Sequence, residues 1–264
     1  MTTRVRLPAS VLNVYCNFTS GDNLNDGLTP ATAYKTLQHA LDRVYTEYDF
    51  DGGNPRSQVV INLADNTTDT TGVHFSPHAF VGAQGGAAVK IKGGVNSKVI
   101  TAGKSALQFY FGCVIQLENF EVGCTGSANG LDITAGAKVY MLGGMKFGAC
   151  GVAHINMEDG FLYGGGAYSI TGPAMYHLSN NGGRFKSNGS TINIGANLNF
   201  TTFVLCAAPC YTTFQNSAIN YNGYTVTGKR FEIYNNAVVL AGGPGAYFPG
   251  NVAGSTAYGG IYLA

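Results

Sequence analysis

Apolar and aromatic residues recur along the middle of this chain at intervals close to 23 residues. One track runs Val139, Phe161, Phe185, Tyr211, and a second runs Phe147, Ile170, Ile192, Ile219. Glycine or Asn-Gly corners fall between them, at Gly143-Gly144, Gly182-Gly183, Gly189 and Gly223. Gly and Asn tolerate the positive φ of a tight corner. Short strands at a fixed period, closed by such corners, form a solenoid in which each coil stacks on the last and inward side chains make ladders. The pattern therefore predicts an all-β parallel β-helix, with roughly seven coils between Ser57 and Glu232 in a rod about 35 Å long at the usual strand spacing.

The runs that supply these strands are short and alternating, as in Val59-Val60-Ile61-Asn62-Leu63, Val89-Lys90-Ile91-Lys92 and Lys138 to Leu142. Thr36 to about Tyr45 is different. Leu37, Ala40, Leu41 and Val44 recur at helical spacing while Gln38, His39, Asp42 and Arg43 fill the other face. Thr36 is the expected N-cap, and Gly52-Gly53-Asn54-Pro55 stops the helix. A solenoid has open edges that recruit other strands unless capped, and this helix is placed to cap the N-terminal end. The expected organisation is an N-terminal attachment and turn segment (1–30), the capping helix and loop (31–56), the parallel β-helix (57–232) and a β-rich C-terminal cap or trimerisation segment (233–264).

Charge narrows the partners. Only 11% of residues are charged and the net charge is +1, which gives no reason to expect nucleic-acid binding. No apolar stretch approaches the roughly 20 residues that cross a bilayer, so no membrane insertion is expected. The start of the chain lacks the apolar core of a secretory signal. Ser187 to Gly228 and Ile233 to Ala264 carry no charge at all. A neutral surface of that size predicts cover by another copy of the chain; its glycine content predicts that residues 233–264 interlock with partner chains rather than cap alone.

Asp22 to Asp26 resembles a calcium loop only superficially, because Leu24 stands where an oxygen ligand is needed and Ala33 where a glutamate would close the loop. Asx-turns are expected there instead. His74 and His78 flank Pro77, which places them on a loop rather than at helical metal spacing. No metal or other cofactor is expected. Cys16, Cys113, Cys124, Cys150, Cys206 and Cys210 read as buried thiols; Cys206 and Cys210 are the close pair, and their spacing leaves a disulfide open.

Tyr15 to Leu41 resembles the opening of pectate-lyase-like right-handed parallel β-helix proteins, in its Ser20-Gly21-Asp22-Asn23-Leu24-Asn25-Asp26-Gly27 turn and its Thr36-Leu37-Gln38-His39-Ala40 helix start. The segment covers about a tenth of the chain and speaks for architecture. The ending, Tyr247-Phe248-Pro249-Gly250-Asn251 through Tyr258-Gly259-Gly260, is similar to the C-termini of bacteriophage tail-fibre and tailspike proteins. The resemblance implies a homotrimer on a virion, assembled in the host cytoplasm, attached to other virion proteins through the N-terminal segment and contacting host surface polysaccharide. Arg4 and Arg6 are the candidates for that attachment.

Relatives of this fold include polysaccharide hydrolases and lyases, and fold alone does not decide activity. Hydrolysis needs two carboxylates across a cleft; Asp132, Glu158, Asp159 and Glu232 are the candidates, although Glu158-Asp159 before Gly160 also reads as a solvated corner. Arg184 and Lys186 suit a lyase's cation, but no carboxylate cluster accompanies them. Lys90 and Lys92 share an outer strand face, as ordinary exterior or as a stripe for anionic glycan. Tyr211, Tyr221, Tyr224 and Tyr234 cluster in the neutral third, where flat amphipathic rings either pack a trimer seam or stack on sugars. The sequence thus supports a structural virion appendage first, with a depolymerase or a capsid or tail decoration as alternatives.

Overall fold

The computed structural model describes residues 4–7, 10–50, 58–75, 80, 88–187 and 189–264. Pro77 and His78, and Gly52 to Pro55, lie outside them. Strands pair in parallel with their counterparts one coil before and one coil after, and the described residues form sheets of 10, 8 and 7 strands beside a short two-stranded ladder of Val5–Arg6 with Tyr48–Asp49. The architecture is an all-β parallel β-solenoid of about seven turns. The ten-stranded sheet runs through Val11–Cys16, Gln58–Leu63, Val89–Lys92, Val114–Glu118, Lys138–Gly143, Phe161–Gly164, Arg184–Ser187, Tyr211–Thr213, Val238–Leu240 and Ile261–Leu263. Stacking thus begins before the helix and continues beyond Glu232. The eight-stranded sheet runs from Val73–Phe75 to Ser255–Thr256, and the seven-stranded sheet from Thr68–Asp69 to Ala218–Asn220.

Alternation along each strand sends one set of side chains inward. On the ten-stranded sheet the inward ladder is Ile115, Val139, Leu162, Phe185, Thr212, Val239, all fully buried. On the eight-stranded sheet it is Phe109, Ile133, Met157, Asn180, Cys206, Ile233. Asn180 is the polar member, and its amide donates to Thr212 Oγ1 at 2.8 Å while its carbonyl oxygen accepts from Gly183 N–H at 2.9 Å. A buried amide with its hydrogen bonds made carries little penalty.

The register corrects the first sequence track. Val139 and Phe185 point inward, but Phe161 pairs with Lys138 and Arg184, and Tyr211 pairs with Arg184, on the outward face. Each stands one residue away from the inward line, and in a strand one residue exchanges the two faces. The second track keeps its face but slips by two at one step, because Ile170 pairs with Ile194 while Ile192 pairs with Tyr168 and Ile219.

The helix (α1, Leu37–Glu47) forms where its periodicity places it and buries Leu37, Ala40, Leu41 and Val44. His39 N–H donates to Thr36 Oγ1 at 3.2 Å. Asp69, on the first strand of the seven-stranded sheet, is 2% exposed and accepts from Leu37 N–H at 2.9 Å and from Thr71 N–H and hydroxyl. Its carboxylate thereby ties the capping helix to the first coil, at the end of the helix that favours negative charge. Asp69→Ala is expected to cost about 1–3 kcal/mol by orphaning these donors, read as a lower thermal midpoint. No loss would show that the helix docks on its apolar face alone.

The turn before the helix is built from Asx-turns: Leu24 N–H donates to Asp22 Oδ1 and Leu28 N–H to Asp26 Oδ1, both at 3.0 Å. At the far end, the glycine-rich loop after Val238–Leu240 does more than its composition predicted. Phe248 inserts completely into the core, with ring centroids 5.0 Å from Phe214, 6.2 Å from Phe203 and 6.2 Å from Tyr262. The Tyr247 and Tyr262 hydroxyls donate to Ser217 O at 2.9 Å and Gly243 O at 2.8 Å. Glycine allows the loop to fold back sharply, and one aromatic residue then fills the end of the solenoid. Among the described residues no helix is long and apolar enough to cross a membrane.

Candidate functional site

The outer face of the ten-stranded sheet changes character along the stack. Lys90, Gln116, Tyr140, Tyr163, Lys186 and Thr213 follow one another in register on successive coils. Beside them runs a second outward line, Lys138, Phe161, Arg184, Tyr211. Successive coils lie about 4.8 Å apart, so these side chains form two adjoining rows along the rod.

Within the rows the rings are organised. Tyr140 and Tyr163 stack at 4.9 Å with an interplanar angle of 14°. Lys138 Nζ lies 5.7 Å from the Phe161 centroid and Arg184 Cζ lies 5.7 Å from that of Tyr211. Such cation–ring contacts contribute about 0.5–1 kcal/mol each at exposed sites. Burial, and then the neighbouring Tyr163, raise the Tyr140 hydroxyl above its ordinary pKa, so it stays a neutral donor at physiological pH.

Two hollows open on this face. One, of about 260 Å³, is lined by Tyr140, Met141, Leu142, Tyr163, Gly164, Gly165 and Lys186. The other, of about 290 Å³, is lined by Tyr163, Arg184, Lys186, Tyr211, Thr213 and Gln215. Tyr163 and Lys186 belong to both, so the hollows form one shallow trough. Because Tyr140 covers one face of the Tyr163 ring, the ring offers its other side and its hydroxyl to a ligand. The trough contains aromatic surface, hydroxyls, an amide and two cations, and no carboxylate.

Lys90 and Lys92 do share the outer face, but both reach Glu118 on the next coil, at 3.1 and 3.4 Å. Partial burial raises the Glu118 pKa, yet Lys90 and then Lys92 prevail and hold it below the ordinary carboxylate value. Lys98 likewise meets Glu121 at 3.1 Å. These lysines therefore sit in local ion pairs on the structure's first coils.

The carboxylate candidates are spread along the eight-stranded sheet. Asp132 and Glu232 occupy one outward register line four coils apart. Asp132 accepts from Asn156 Nδ2 at 2.8 Å, and Glu232 accepts from Lys229 Nζ at 2.5 Å and Thr202 Oγ1 at 3.1 Å. Asp159 adopts a positive φ of 57° at a corner. Asp132 and Glu158 stand on the same outward face of adjacent coils, two register positions apart. Among the described residues no group of three His, Cys, Asp or Glu side chains could hold a metal ion.

The remaining candidates separate. Tyr211 joins the trough. Tyr221 and Tyr224 sit together in the turn after Ala218–Asn220, where Tyr224 N–H donates to Tyr221 O at 2.8 Å, and Tyr234 follows Val226–Ile233. Arg4 donates to Thr46 O at 3.3 Å and lies over the Tyr45 ring, while Arg6 sits in the short ladder with Asp49. Cys206 and Cys210 are free buried thiols, as are the other cysteines. Sequence reasoning missed Tyr140, Tyr163, Thr213 and Gln215 entirely and assigned Phe161 to the core. Compared with known protein families, curated proteins and solved structures, the chain matches none.

Proposed function

We propose that this chain is a structural, non-catalytic appendage of a bacteriophage virion, a homotrimer that contacts host surface polysaccharide through the outer face of the ten-stranded sheet. The observation that carries this reading is the trough itself: aromatic rings, hydroxyls and cations in register on consecutive coils, with no carboxylate among its lining residues. Flat rings with polar edges suit sugar rings, which present an apolar face and a rim of hydroxyls. Glycosidic hydrolysis needs a pair of carboxyl groups, which the trough lacks.

The virion setting rests on the resemblance of the C-terminal segment, Tyr247 through Gly260, to bacteriophage tail-fibre and tailspike proteins. Trimerisation is supported by the neutral C-terminal region, where Val252, Tyr258, Ile261 and Leu263 are exposed and Ile261–Leu263 ends the ten-stranded sheet as an open edge. Attachment to the particle falls to the N-terminal segment that carries Arg4 and Arg6. A depolymerase is the second reading, favoured by the placement of Asp132 and Glu158 on one outward face of adjacent coils.

Light scattering is expected to give three times the 27.6 kDa chain mass, and a panel of bacterial surface polysaccharides is expected to yield at least one that the trimer retains without shortening it. Cleavage that is lost in Asp132→Asn or Glu158→Gln would establish the depolymerase instead. A monomer that retains no glycan, or a trimer that binds assembled particles and never a glycan, would overturn the host-contact reading.

A further inference from the structure

The charges on the ten-stranded sheet are distributed unevenly. Its cations are Lys90, Lys92, Lys138, Arg184 and Lys186, and Glu118 is the one acid among its described strands. Lys90 and Lys92 share that acid. Lys138, Arg184 and Lys186 have no ion pair among the described residues, and all three are exposed. Arg184 and Lys186 alternate on one strand, so both project outward into the same 290 Å³ hollow, between Tyr163 on the coil before and Tyr211 and Thr213 on the coil after.

We infer that this hollow recognises the negatively charged group of an acidic polysaccharide, a carboxylate or sulfate on a sugar ring, with the chain laid along the solenoid axis. The inference rests on the glycan-contact reading and specifies its ligand class. A neutral glycan gains nothing from two adjacent cations held without counter-ions, whereas an anion relieves their mutual repulsion. The Arg184 guanidinium offers a planar fork that matches a carboxylate or sulfate with paired hydrogen bonds, and Lys186 adds a compact charge beside it. Gln215, Thr213 and the tyrosine hydroxyls supply donors and acceptors for ring hydroxyls. The hollow lies at the small end of ligand sites, which suits one sugar ring rather than an extended folded partner. Lys138 stands two coils before Arg184 on the same outward line, and provides a further cation for an acidic group on a neighbouring repeat. That spacing, set by the coils, favours a polymer along the rod over an isolated anion.

Isothermal titration of the full chain with polygalacturonate oligomers, dextran sulfate oligomers and neutral dextran oligomers of matched length tests this directly. Binding to at least one acidic oligomer is expected, at least about tenfold tighter than to neutral dextran, and weakening as salt rises from 50 to 200 mM. Arg184→Glu and Lys186→Glu are expected to weaken it by more than about tenfold, and Arg184→Lys by less, because charge is kept but the fork is lost. Lys104→Glu, the same charge reversal on an exposed lysine away from the sheet, controls for net charge and should change affinity less than about twofold. Equal affinity for neutral and acidic oligomers would overturn this inference and leave the glycan reading standing. An equal loss in Lys104→Glu, or equal binding of polyglutamate, would also overturn it. Binding of no oligomer, neutral or acidic, would remove the glycan reading with it.

Discussion

Phe185→Ala is expected to lower the unfolding free energy by about 3–5 kcal/mol, the usual cost of deleting a buried aromatic ring. Phe185 is fully buried between Leu162 and Thr212 in the inward ladder, with its ring centroid 4.8 Å from that of Phe214. In a solenoid each coil rests chiefly on its neighbours, so no distant packing makes good the loss. Phe161→Ala is the matched comparison. It removes the same ring from the preceding coil, but on the outward face, and should cost under about 1 kcal/mol. Equilibrium urea unfolding of the two variants reads both values. Similar losses in the two, or the larger loss in Phe161→Ala, would contradict the register that places Phe161 on the outward face.

Acidification below pH 6.5 should destabilise the protein through His154 and His177. Both are fully buried among Phe147, Phe200 and Phe203. Their Nδ1 atoms lie 3.2 Å apart, and His177 Nε2 meets the Tyr168 hydroxyl at 2.9 Å. His154 Nε2 has no hydrogen-bond partner among the described residues. Burial pushes the His154 pKa down to about 4, and burial followed by the His154 charge pushes His177 well below its ordinary value. The unfolded chain therefore takes up protons near pH 6.5 while the folded chain does not. Stability is complete above that pH and falls as pH drops, by up to about 1.4 kcal/mol per pH unit for each histidine. For His154 the loss is finished near pH 4. Urea midpoints measured from pH 7.5 to 4 should fall steadily, and His154→Gln should flatten the slope. Glu118, held low by its lysines, contributes only at the acidic end, where its unfolded form begins to protonate. A midpoint unchanged between pH 6.5 and 5 would contradict a neutral buried pair.

Much of the fold was legible because its signals are local. Helical spacing of Leu37, Ala40, Leu41 and Val44 needs only one turn's memory, and Thr36 caps the helix where it was expected. The coil length was legible too, but its register was not. The strict 23-residue step holds on every line of these coils, inward through Val139–Leu162–Phe185 and outward through Lys138–Phe161–Arg184 and Tyr140–Tyr163–Lys186, whereas hydrophobicity alone picks whichever apolar residue stands nearest. Phe161 and Tyr211 are apolar enough to pass for core, and a slip of one residue hides the outward line to which both belong. Arg184 and Lys186 have no carboxylate cluster beside them in the sequence, which matters for catalysis and not for binding. The ion pairs that occupy Lys90 and Lys92 were invisible for a different reason. Glu118 lies a full coil away in sequence and meets them only when the coils stack.

The parallel stacking also sets an order of assembly. Most strands find their partners one coil back, 23 to 27 residues earlier along much of the stack, so closure entropy stays modest at every step and a growing chain can add coils as they emerge from the ribosome. Phe248, Tyr247 and Tyr262 come after nearly all the strands they close over. Until they arrive, the newest edge remains open and adhesive, both to the next coil and to a neighbouring chain at the same stage. The aromatic plug is thus the last part of the core to be laid down, and the coils beneath it wait for it with their apolar interior uncovered.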